Sequence, residues 1–561
     1  MNGILLFAFA AVLFFLSYWF YSRFLAEKIY QLDPDRETPS HKYEDGFEFV
    51  PTTKEVVLGH HFTSIAGAAP IVGPALAVIW GWLPALLWVV FGTMFIGAVH
   101  DFGVLVMSMR KRGRSITDFI GEVLIPEARI LMFVVVFFLI ALVGAVFMIV
   151  IAVLFNTYAT TVFPIWIEMV FALGCGIAVY RYGVSFRTAG SIALLGFFIT
   201  VIIGAYWPLS IGETFIGSPL NTWIVLTALY GLFVTLLPVW ALLQPRDWIN
   251  AHELYAFLAL FFIGLIALGP GADVVAPAIR TGVSGAPPFY PFLFIVIACG
   301  AISGWHSLVG SGTTPKQIDN EVDARDIGYG GMQLEGILAI SAIIACVVGF
   351  ASSSEWLSHY ASWGGAAGLG PKVSAFVDGG AGIVSEGLHI PETIALTIFG
   401  VLIVSFAMTT LDTTVRMERY VISEVVGSYV HPIFENIYIG SIISVVVMGW
   451  LALQTYAGAP AGIVLWPLFG ATNQILAALA LLTISVYLYK RGTPIQYTFL
   501  PFLFMVITAG SAMIYNLGIN WIPSIGKAGM IPLTIIGSVV VICLVGLIIL
   551  AGISFKRARP G

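Results

Sequence analysis

Two neighbouring titratable residues, His100 and Asp101, lie inside an apolar stretch of the chain. Asp101 precedes the basic Arg110 by nine residues, which corresponds to about 14 Å along a helix. A carboxylate at that depth in a bilayer is costly, and such residues commonly carry protons or ions. His100 and Asp101 are therefore candidate carriers of a coupling ion, here a proton. A structural carboxylate held by backbone or hydroxyl partners fits the same pattern.

A second polar group lies in residues 299–316, CGAISGWHSLVGSGTTPK. Small and hydroxyl residues recur there every three or four positions, so in a helix they would form one polar face beside His306. Hydroxyls and free carbonyls can enclose Na⁺ or orient a water. Such residues also simply allow helices to pack closely. The candidate ion ligands are Ser307, Ser311, Thr313 and Thr314, and the candidate solute contacts are Ser303 and His306.

Proline and glycine interrupt two apolar stretches. Residues 66–74, AGAAPIVGP, form the most severe break, and Pro238 and Pro245 interrupt residues 235–248, TLLPVWALLQPRDW. Breaks free backbone groups that lipid cannot satisfy, so they persist only where the backbone is buried in protein or lines a watery cavity. A proline that merely kinks a helix for packing is the alternative at either position.

The elements that carry these residues are apolar segments of transmembrane length. The chain has 561 residues, of which 59% are hydrophobic and 10% charged, and blocks of roughly 20 apolar residues recur throughout. This predicts an all-α polytopic membrane protein and excludes a β-barrel. The about fifteen predicted transmembrane helices are residues 3–22, 62–80, 84–109, 128–155, 163–180, 189–208, 220–244, 252–269, 290–313, 329–351, 390–411, 436–456, 462–488, 496–517 and 529–554.

The two breaks lie five predicted spans apart, in helices that run in opposite directions. Matching broken helices are typical of transporters built from inverted repeats, in which the helix ends meet near the bilayer midplane to hold solute and ions. Spans 2–11 would then form a core of two five-helix repeats, residues 62–208 and 220–411, flanked by residues 1–61 and by residues 412–561 with four accessory helices. The candidate solute-binding residues at the breaks are Gly67, Ala68, Ala69, Pro70, Gly73, Pro238 and Trp240.

Basic residues are distributed unequally between the two sides of this arrangement. Of the 25 Lys and Arg residues, only Arg280, Lys372 and Lys527 fall in connections on one side. Because cytoplasmic loops are enriched in Lys and Arg, we predict the N-terminus outside and the C-terminus inside. On this assignment residues 352–389 form an outer loop with an interfacial helix.

Several charged and polar residues are expected at the cytoplasmic ends of helices. Solvated ion pairs are expected between Arg246 and Asp247 and between Asp412 and Arg416. The alternative is that these residues form a cytoplasmic gate. His60 and His61 are expected at the membrane surface. Asn473 and Gln474 in span 13 suggest an interior polar contact that serves helix packing.

Several longer blocks together resemble the carbon starvation protein A (CstA) family, and the resemblance covers nearly the whole chain in order. The blocks include GHHFTSIAGAAPIVGPALAVIWGW, QPRDWIN, ACGAISGWHSLVGSGTTPK, YGGMQLEG, TTLDTTVRMERY and WPLFGATNQ. The resemblance implies a bacterial inner-membrane carrier of short peptides or pyruvate. It also implies membership of the amino acid, polyamine and organocation superfamily, with a LeuT-like inverted-repeat core.

These observations favour a secondary active importer that couples H⁺ or Na⁺ entry to uptake of a small carboxylate-bearing nutrient. The solute and the lipid bilayer are the expected partners, and we expect no nucleic acid partner, resident metal or cofactor. The alternative is a membrane-embedded metal-dependent hydrolase that uses buried His and Asp. However, no HExxH spacing or cysteine pair supports a zinc site. The sequence contains no GxxxxGK[ST] motif, which ATP-driven transport would require. It also contains no ring of charged residues of the kind that lines a channel. Peptide or pyruvate, H⁺ or Na⁺, and the oligomeric state stay open.

Overall fold

The structure is a computed structural model that describes residues 1–46, 48–212, 216–428, 430–456, 459–527 and 529–557. In this part of the chain the protein is helical apart from a two-stranded antiparallel ribbon of β1 (Thr455–Tyr456) and β2 (Ala459–Pro460). The expected all-α class is therefore confirmed, with that short ribbon as an addition.

The first half of the chain contains twelve α-helices. They are α1 (Gly3–Leu16), α2 (Pro39–Lys42), α3 (Lys54–Ala66), α4 (Ala69–Ala77), α5 (Trp82–Gly92), α6 (Ala98–Arg110), α7 (Ile116–Val123), α8 (Ala128–Thr157), α9 (Val162–Tyr182), α10 (Phe186–Tyr206), α11 (Pro219–Thr235) and α12 (Leu243–Leu268). π-helical turns extend α1 to Tyr30 and join α5 to α6.

The second half contains the remaining α-helices of the described residues. They are α13 (Phe289–Val296), α14 (Trp305–Val309), α15 (Gly331–Val348), α16 (Ser353–His359), α17 (Trp363–Ala366), α18 (Leu369–Leu388), α19 (Glu392–Val421), α20 (Ile437–Leu453), α21 (Ala461–Lys490), α22 (Gln496–Tyr515) and α23 (Met530–Arg557).

Eleven helical segments in the described residues are long and apolar enough to cross a membrane, and the bent pair α3 and α4 raises this number to twelve. The count of about fifteen is not confirmed, because α11 and α20 are shorter apolar helices and the predicted span 290–313 is not one helix. The predicted repeat boundaries at 61/62 and 411/412 also fall inside α3 and α19.

The centre of the bundle consists of α8, α15, α19 and α21. The most apolar windows of these segments are between 83% and 94% buried, whereas that of Gly3–Tyr30 is 28% buried. Span 13, expected to be an accessory helix, corresponds to α21 and has the highest buried share of the four, 94%. α21, which the sequence predicts as an accessory helix, therefore lies at the centre of the bundle.

The predicted helix 290–313 is wrong. Residues 297–304 are not helical, and this segment separates the short helices α13 and α14. Gly300 has φ +84°, and an added Cβ there would lie 2.5 Å from the Ala339 Cβ, so the backbone takes a path that favours glycine. The apolar composition of the segment suits a helix, but the local conformation does not continue one.

The predicted helix 220–244 ends earlier than expected, at Thr235. Pro238 lies in the connection that follows, and Pro245 lies in the first turn of α12. The backbone N–H that proline lacks would have no partner within the helix at that position, so Pro245 does not interrupt α12. The second break therefore separates two helices instead of interrupting one span.

Residues 352–389 form three helices instead of an outer loop. The expected interfacial helix is present as α16, but its Trp356 is fully buried, and the indole donates a hydrogen bond to the Cys346 carbonyl at 3.1 Å. α18, which the sequence did not predict, packs against α12, α15 and α19.

The connection between α1 and α3 is fastened to the segment that follows α14. Val50 and Thr52 donate backbone hydrogen bonds to the carbonyls of Lys316 and Gln317, at 3.1 and 3.0 Å. The Lys316 Nζ lies 2.7 Å from Glu48 Oε2. Burial alone would raise the pKa of the Glu48 carboxyl, but Lys316 outweighs burial and holds that pKa below its usual range.

A close approach of two backbones joins α4 to the end of α13. An added Cβ on Gly73 would lie 2.6 Å from the Val296 carbonyl oxygen and 3.2 Å from the Ile297 Cα. Since both atoms belong to backbone, any side chain here would force the two elements apart.

Replacing Gly73 with Ala should therefore destabilise the protein by about 1–3 kcal/mol and lower its thermal unfolding midpoint in detergent. Gly174, in α9, is the matched control, because an added Cβ there meets nothing within 4 Å. Gly174→Ala should be neutral or stabilising by up to about 1 kcal/mol. Equal midpoints for the two variants would contradict the close packing of α4 on α13.

Candidate functional site

The non-helical segment 297–304 finds its hydrogen-bond partners in side chains of neighbouring helices. The Asn473 Nδ2 donates to the Ala298 carbonyl at 3.1 Å, and its Oδ1 accepts from the Trp305 N–H at 2.8 Å. Gln474 Nε2 donates to the Ile297 carbonyl at 3.4 Å and to the Phe294 carbonyl of α13 at 2.5 Å. The interior polar contact expected of Asn473 and Gln474 thus stabilises a stretch of backbone that a helix would otherwise have satisfied.

Gly300 places this segment against two further helices. Its N–H donates to Glu335 Oε1 of α15 at 2.9 Å, and its carbonyl accepts from the Thr93 hydroxyl at 2.8 Å. The unwound backbone therefore fixes the Glu335 carboxylate beside α14.

Glu335 belongs to a row of buried titratable side chains centred on His306. The His306 Nδ1 lies 2.8 Å from Asp101 Oδ2, and its Nε2 lies 3.1 Å from Glu335 Oε2. The His100 Nδ1 lies 2.7 Å from Asp101 Oδ1. All four side chains are fully buried. His306, expected to contact solute, instead lies with His100 and Asp101 in what we call the His306 cluster: His100, Asp101, His306 and Glu335.

This geometry favours an extra proton on the His306 cluster. A neutral imidazole has a hydrogen on one ring nitrogen and a lone pair on the other. Both nitrogens of His306 face carboxylate oxygens, and a lone pair at 3.1 Å from a carboxylate would be repelled. A second hydrogen on the imidazole, or a proton on Glu335, would remove this repulsion. The cluster can therefore hold and release a proton without losing its framework.

The same residues include a possible metal-ligand set. Ligand atoms of Cys299, His306 and Glu335 lie within 4.8 Å of one another, and all three residues are buried. These are ligand types of zinc and other transition metals. Both His306 nitrogens already contact carboxylates, however, so metal binding would have to displace one of those contacts.

The break between α3 and α4 lies beside this region. Gly67 has φ +50° and lies where α3 ends, and the two helices are bent by 45°. The Trp305 indole donates to the Ser64 carbonyl at 2.8 Å, which satisfies an end of α3. The start of α14 therefore lies beside the first break.

His60 and His61, predicted at the membrane surface, are buried inside the helix bundle. α3 begins at Lys54, which places both residues well within the helix. The His60 ring lies 2.6 Å from Asp247 and 2.8 Å from the Thr313 hydroxyl, and the His61 ring lies 3.0 Å from the Thr314 hydroxyl.

The expected ion ligands near α14 already have protein partners. Ser307 and Ser311 donate to backbone carbonyls three and four residues earlier, at 2.7 and 2.5 Å. Thr313 and Thr314 contact the two histidines. Ser303 shares its hydroxyl with Asn473. In this conformation the hydroxyls of all four expected ion ligands contact protein groups, which agrees with the packing alternative.

A second buried charged group lies around Arg246. Its Nη1 contacts Asp412 Oδ2 at 2.5 Å and the Tyr230 hydroxyl at 2.7 Å, and its Nε contacts Glu168 Oε1 at 3.2 Å. Ser405 contributes its backbone carbonyl to Arg246 and its hydroxyl to Glu168. These five residues, from α9, α11, α12 and α19, are the Arg246 cluster.

The expected solvated pairs are wrong, because all of their members are buried and have other partners. Arg246 contacts Asp412 and Glu168, whereas Asp247 contacts His60. Arg416 donates to the carbonyls of Val234 and Leu237, where α11 ends. α19 continues ten residues beyond its predicted end, so Asp412 and Arg416 lie inside the helix.

Pro238 and Trp240 lie beside α9. The Trp240 ring is 5.5 Å from that of Tyr180, and an added Cβ on Gly176 would lie 2.8 Å from the Trp240 carbonyl. Gly67, in contrast, faces Phe147 of α8 and Thr410 of α19. Gly67 and Trp240, both expected in the solute site, therefore contact different helices.

Several residues of the two clusters were missed from the sequence. Glu335 and Glu168 both lie within predicted spans, so the rule that selected Asp101 could have selected them as well. Cys299 and Tyr230 carry no such signal, because buried cysteine and tyrosine are common packing residues.

Replacing Arg246 with Met should destabilise the protein by about 3–5 kcal/mol, because Glu168 and Asp412 would stay buried without their cation. Arg181→Met is the control, since Arg181 is exposed at the end of α9. Asp412→Asn should cost less in the Arg246→Met background than alone, measured as shifts of the thermal unfolding midpoint. Additive effects would mean that Arg246 and Asp412 do not interact energetically.

Comparison with known proteins agrees with the membrane bundle. A family model described as carbon starvation protein CstA matches residues 2–355 and 350–512. The chain is 30% identical over 560 residues to the peptide transporter CstA of Bacillus subtilis strain 168, covering 93% of this chain and 92% of that protein. It is 30% identical over 568 residues to the pyruvate/proton symporter BtsT of Escherichia coli K12, covering 88% of this chain and 79% of that protein.

Among solved structures, the crystal structure of MhsT in complex with L-phenylalanine superposes with a TM-score of 0.49 at 13% identity, covering 82% of this chain and 99% of that chain. The sequence relatives carry the assignment. This multi-pass membrane protein is a transporter rather than an enzyme, and it belongs to the carbon starvation protein CstA family.

Proposed function

We propose that this protein imports a small carboxylate-bearing nutrient, pyruvate or a short peptide, across the bacterial inner membrane together with protons. The observation that carries the proposal is the His306 ring held between Asp101 and Glu335 in the interior of the bundle. Two relatives support the choice of solute, since one is named a peptide transporter and the other a pyruvate/proton symporter.

The His306 cluster is the proposed proton-binding site. Its two carboxylates and one imidazole lie within hydrogen-bonding reach, so protonation changes the charge of the cluster without requiring a new partner. Glu335 is also bonded to Gly300. Gain or loss of a proton therefore acts on the unwound segment 297–304, which is a physical route from ion binding to a change in backbone position.

The start of α4 is the proposed contact for the solute carboxylate. Helix N-termini offer free N–H groups and a positive dipole end, and Ala68 and Ala69 precede Pro70 at this end. Gly67 is closely packed, because an added Cβ would lie 2.8 Å from the Thr410 hydroxyl and 3.1 Å from Phe147. Loading of solute here would require α8 and α19 to move away from the break.

The Arg246 cluster is the proposed cytoplasmic gate. It ties α12 and α19 to α9 and α11, and the distribution of basic residues supports a cytoplasmic position for this end of the bundle. Alternating access would open the cluster when the outer side closes. We propose the same orientation as the sequence predicts, with the N-terminus outside and the C-terminus inside. Two inverted five-helix repeats within spans 2–11 remain part of this proposal.

Purified protein in liposomes should accumulate labelled pyruvate or a dipeptide when the proton concentration is higher outside. Asp101→Asn should reduce this accumulation to the level of empty liposomes, since the His306 cluster would lose a charge that compensates the bound proton. The measurement is uptake with an imposed pH gradient, an imposed Na⁺ gradient, and neither.

Glu27→Gln is the control for this experiment, because Glu27 is an exposed carboxylate paired with Arg23 on α1. It should transport as the unmodified protein does. Accumulation driven by Na⁺ alone, or pH-driven accumulation that survives in Asp101→Asn, would remove the His306 cluster from the mechanism. Accumulation of neither solute would overturn the proposed function.

A further inference from the structure

A buried lysine lies far from the clusters described above. Lys372, near the start of α18, is 2% exposed. Its Nζ lies 4.6 Å from the centroid of the Trp466 ring. Within the described part of the chain it takes part in no ion pair with a carboxylate. Lysines this buried normally have a charged partner, because an unpaired ammonium in a protein interior is costly.

Lys372 lines a cavity of about 320 Å³ between α4, α13, α18, α21 and α22. Trp466 and Asn516 line the same cavity. The indole Nε1 of Trp466 and the amide Nδ2 of Asn516 are buried hydrogen-bond donors, and neither has a partner among the residues that the structure describes. Asn520 donates to the Asn516 Oδ1 at 2.9 Å, which occupies the acceptor of that amide. Three residues that border one cavity thus carry donors for which the described part of the chain supplies no acceptor.

The chemistry of this lining selects the class of ligand. One cationic and two neutral donors require acceptor oxygens with a negative charge. Trp363, Phe292 and Val296 supply apolar walls, which suit a ligand with a small carbon skeleton more than a strongly hydrated dianion. A carboxylate offers two oxygens for these donors and neutralises Lys372.

We propose that the Lys372 cavity is a binding site for a small carboxylate anion, separate from the His306 cluster. The cavity reaches Leu76 of α4, nine residues beyond Gly67, which corresponds to about 14 Å along a helix from the break. Lys372 is also one of three basic residues that the sequence places on the outer side. The site would therefore collect the anion on the side from which import begins.

Calorimetric titration of the full-length protein with pyruvate tests this site without transport. If the start of α4 binds pyruvate as well, the unmodified protein should bind two molecules per chain and Lys372→Met one. If only the Lys372 cavity binds it, the numbers should be one and none. Either pair of results supports the site, and the first pair also supports the central solute contact. An unchanged number in Lys372→Met overturns the inference.

Lys527→Met is the matched control, because Lys527 is an exposed lysine assigned to the same side, and it should bind as the unmodified protein does. Lys372→Arg keeps the charge and should keep the bound pyruvate. Trp466→Phe keeps the aromatic ring under Lys372 but removes the indole donor, and it should weaken binding by about tenfold. Trp466→Phe therefore decides the question if Lys372→Met does not fold.

Thermal unfolding distinguishes a ligand site from a purely structural lysine. Pyruvate should raise the unfolding midpoint of the unmodified protein by more than that of Lys372→Met. An equal effect of pyruvate on both proteins would mean that Lys372 has only a packing role. Stabilisation through Lys372 by short-chain phosphatidylglycerol and not by pyruvate would assign the cavity to a lipid phosphate and overturn the proposal.

Discussion

Inside a bilayer, a peptide group that leaves a helix must find another hydrogen-bond partner within the protein. In this protein the requirement falls on residues 297–304, and Asn473, Gln474, Glu335 and Thr93 meet it. The irregular backbone and the polar residues around it are therefore one arrangement. Without those side chains, the segment would be driven back towards a helix, and His306 would lose its position between two carboxylates.

The charged residues obey a related constraint. In the two clusters, His306 and Arg246 each contact carboxylates on other helices. The sequence neighbours Arg246 and Asp247 do not pair with each other, since Asp247 contacts His60. The single residue Arg246 of α12 contacts three other helices, α9, α11 and α19. Pairs of this kind contribute little net stability relative to apolar residues, but they allow few alternative packings. They also mark where the helices have to separate if the bundle changes conformation.

Helix existence and the first break were predictable because they depend on local composition. Apolar length predicted α8 closely, and the glycines and prolines of residues 66–74 marked the break at Gly67. The interruption at residues 297–304 was not predictable in this way, since its cause lies in Asn473 and Glu335, which are distant in sequence. For the same reason, Asp101 could be selected as a buried acid, but its contact with His306 could not be predicted. Charge pairing depends on which helices meet, and composition does not contain that information.

The dependence of residues 297–304 on Asn473 has a consequence for the order in which the protein is made. Ser303 and Asn473 are separated by 170 residues. At about 5–20 residues per second, the ribosome needs on the order of 10–30 s to reach Asn473 after the earlier segment has been synthesised. During that interval the segment lacks the side chains that satisfy it. Residues 297–304 therefore reach their native conformation late, when α21 inserts. In a nascent chain that stops before α21, the backbone of this segment would lack the hydrogen bonds that Asn473 and Gln474 supply.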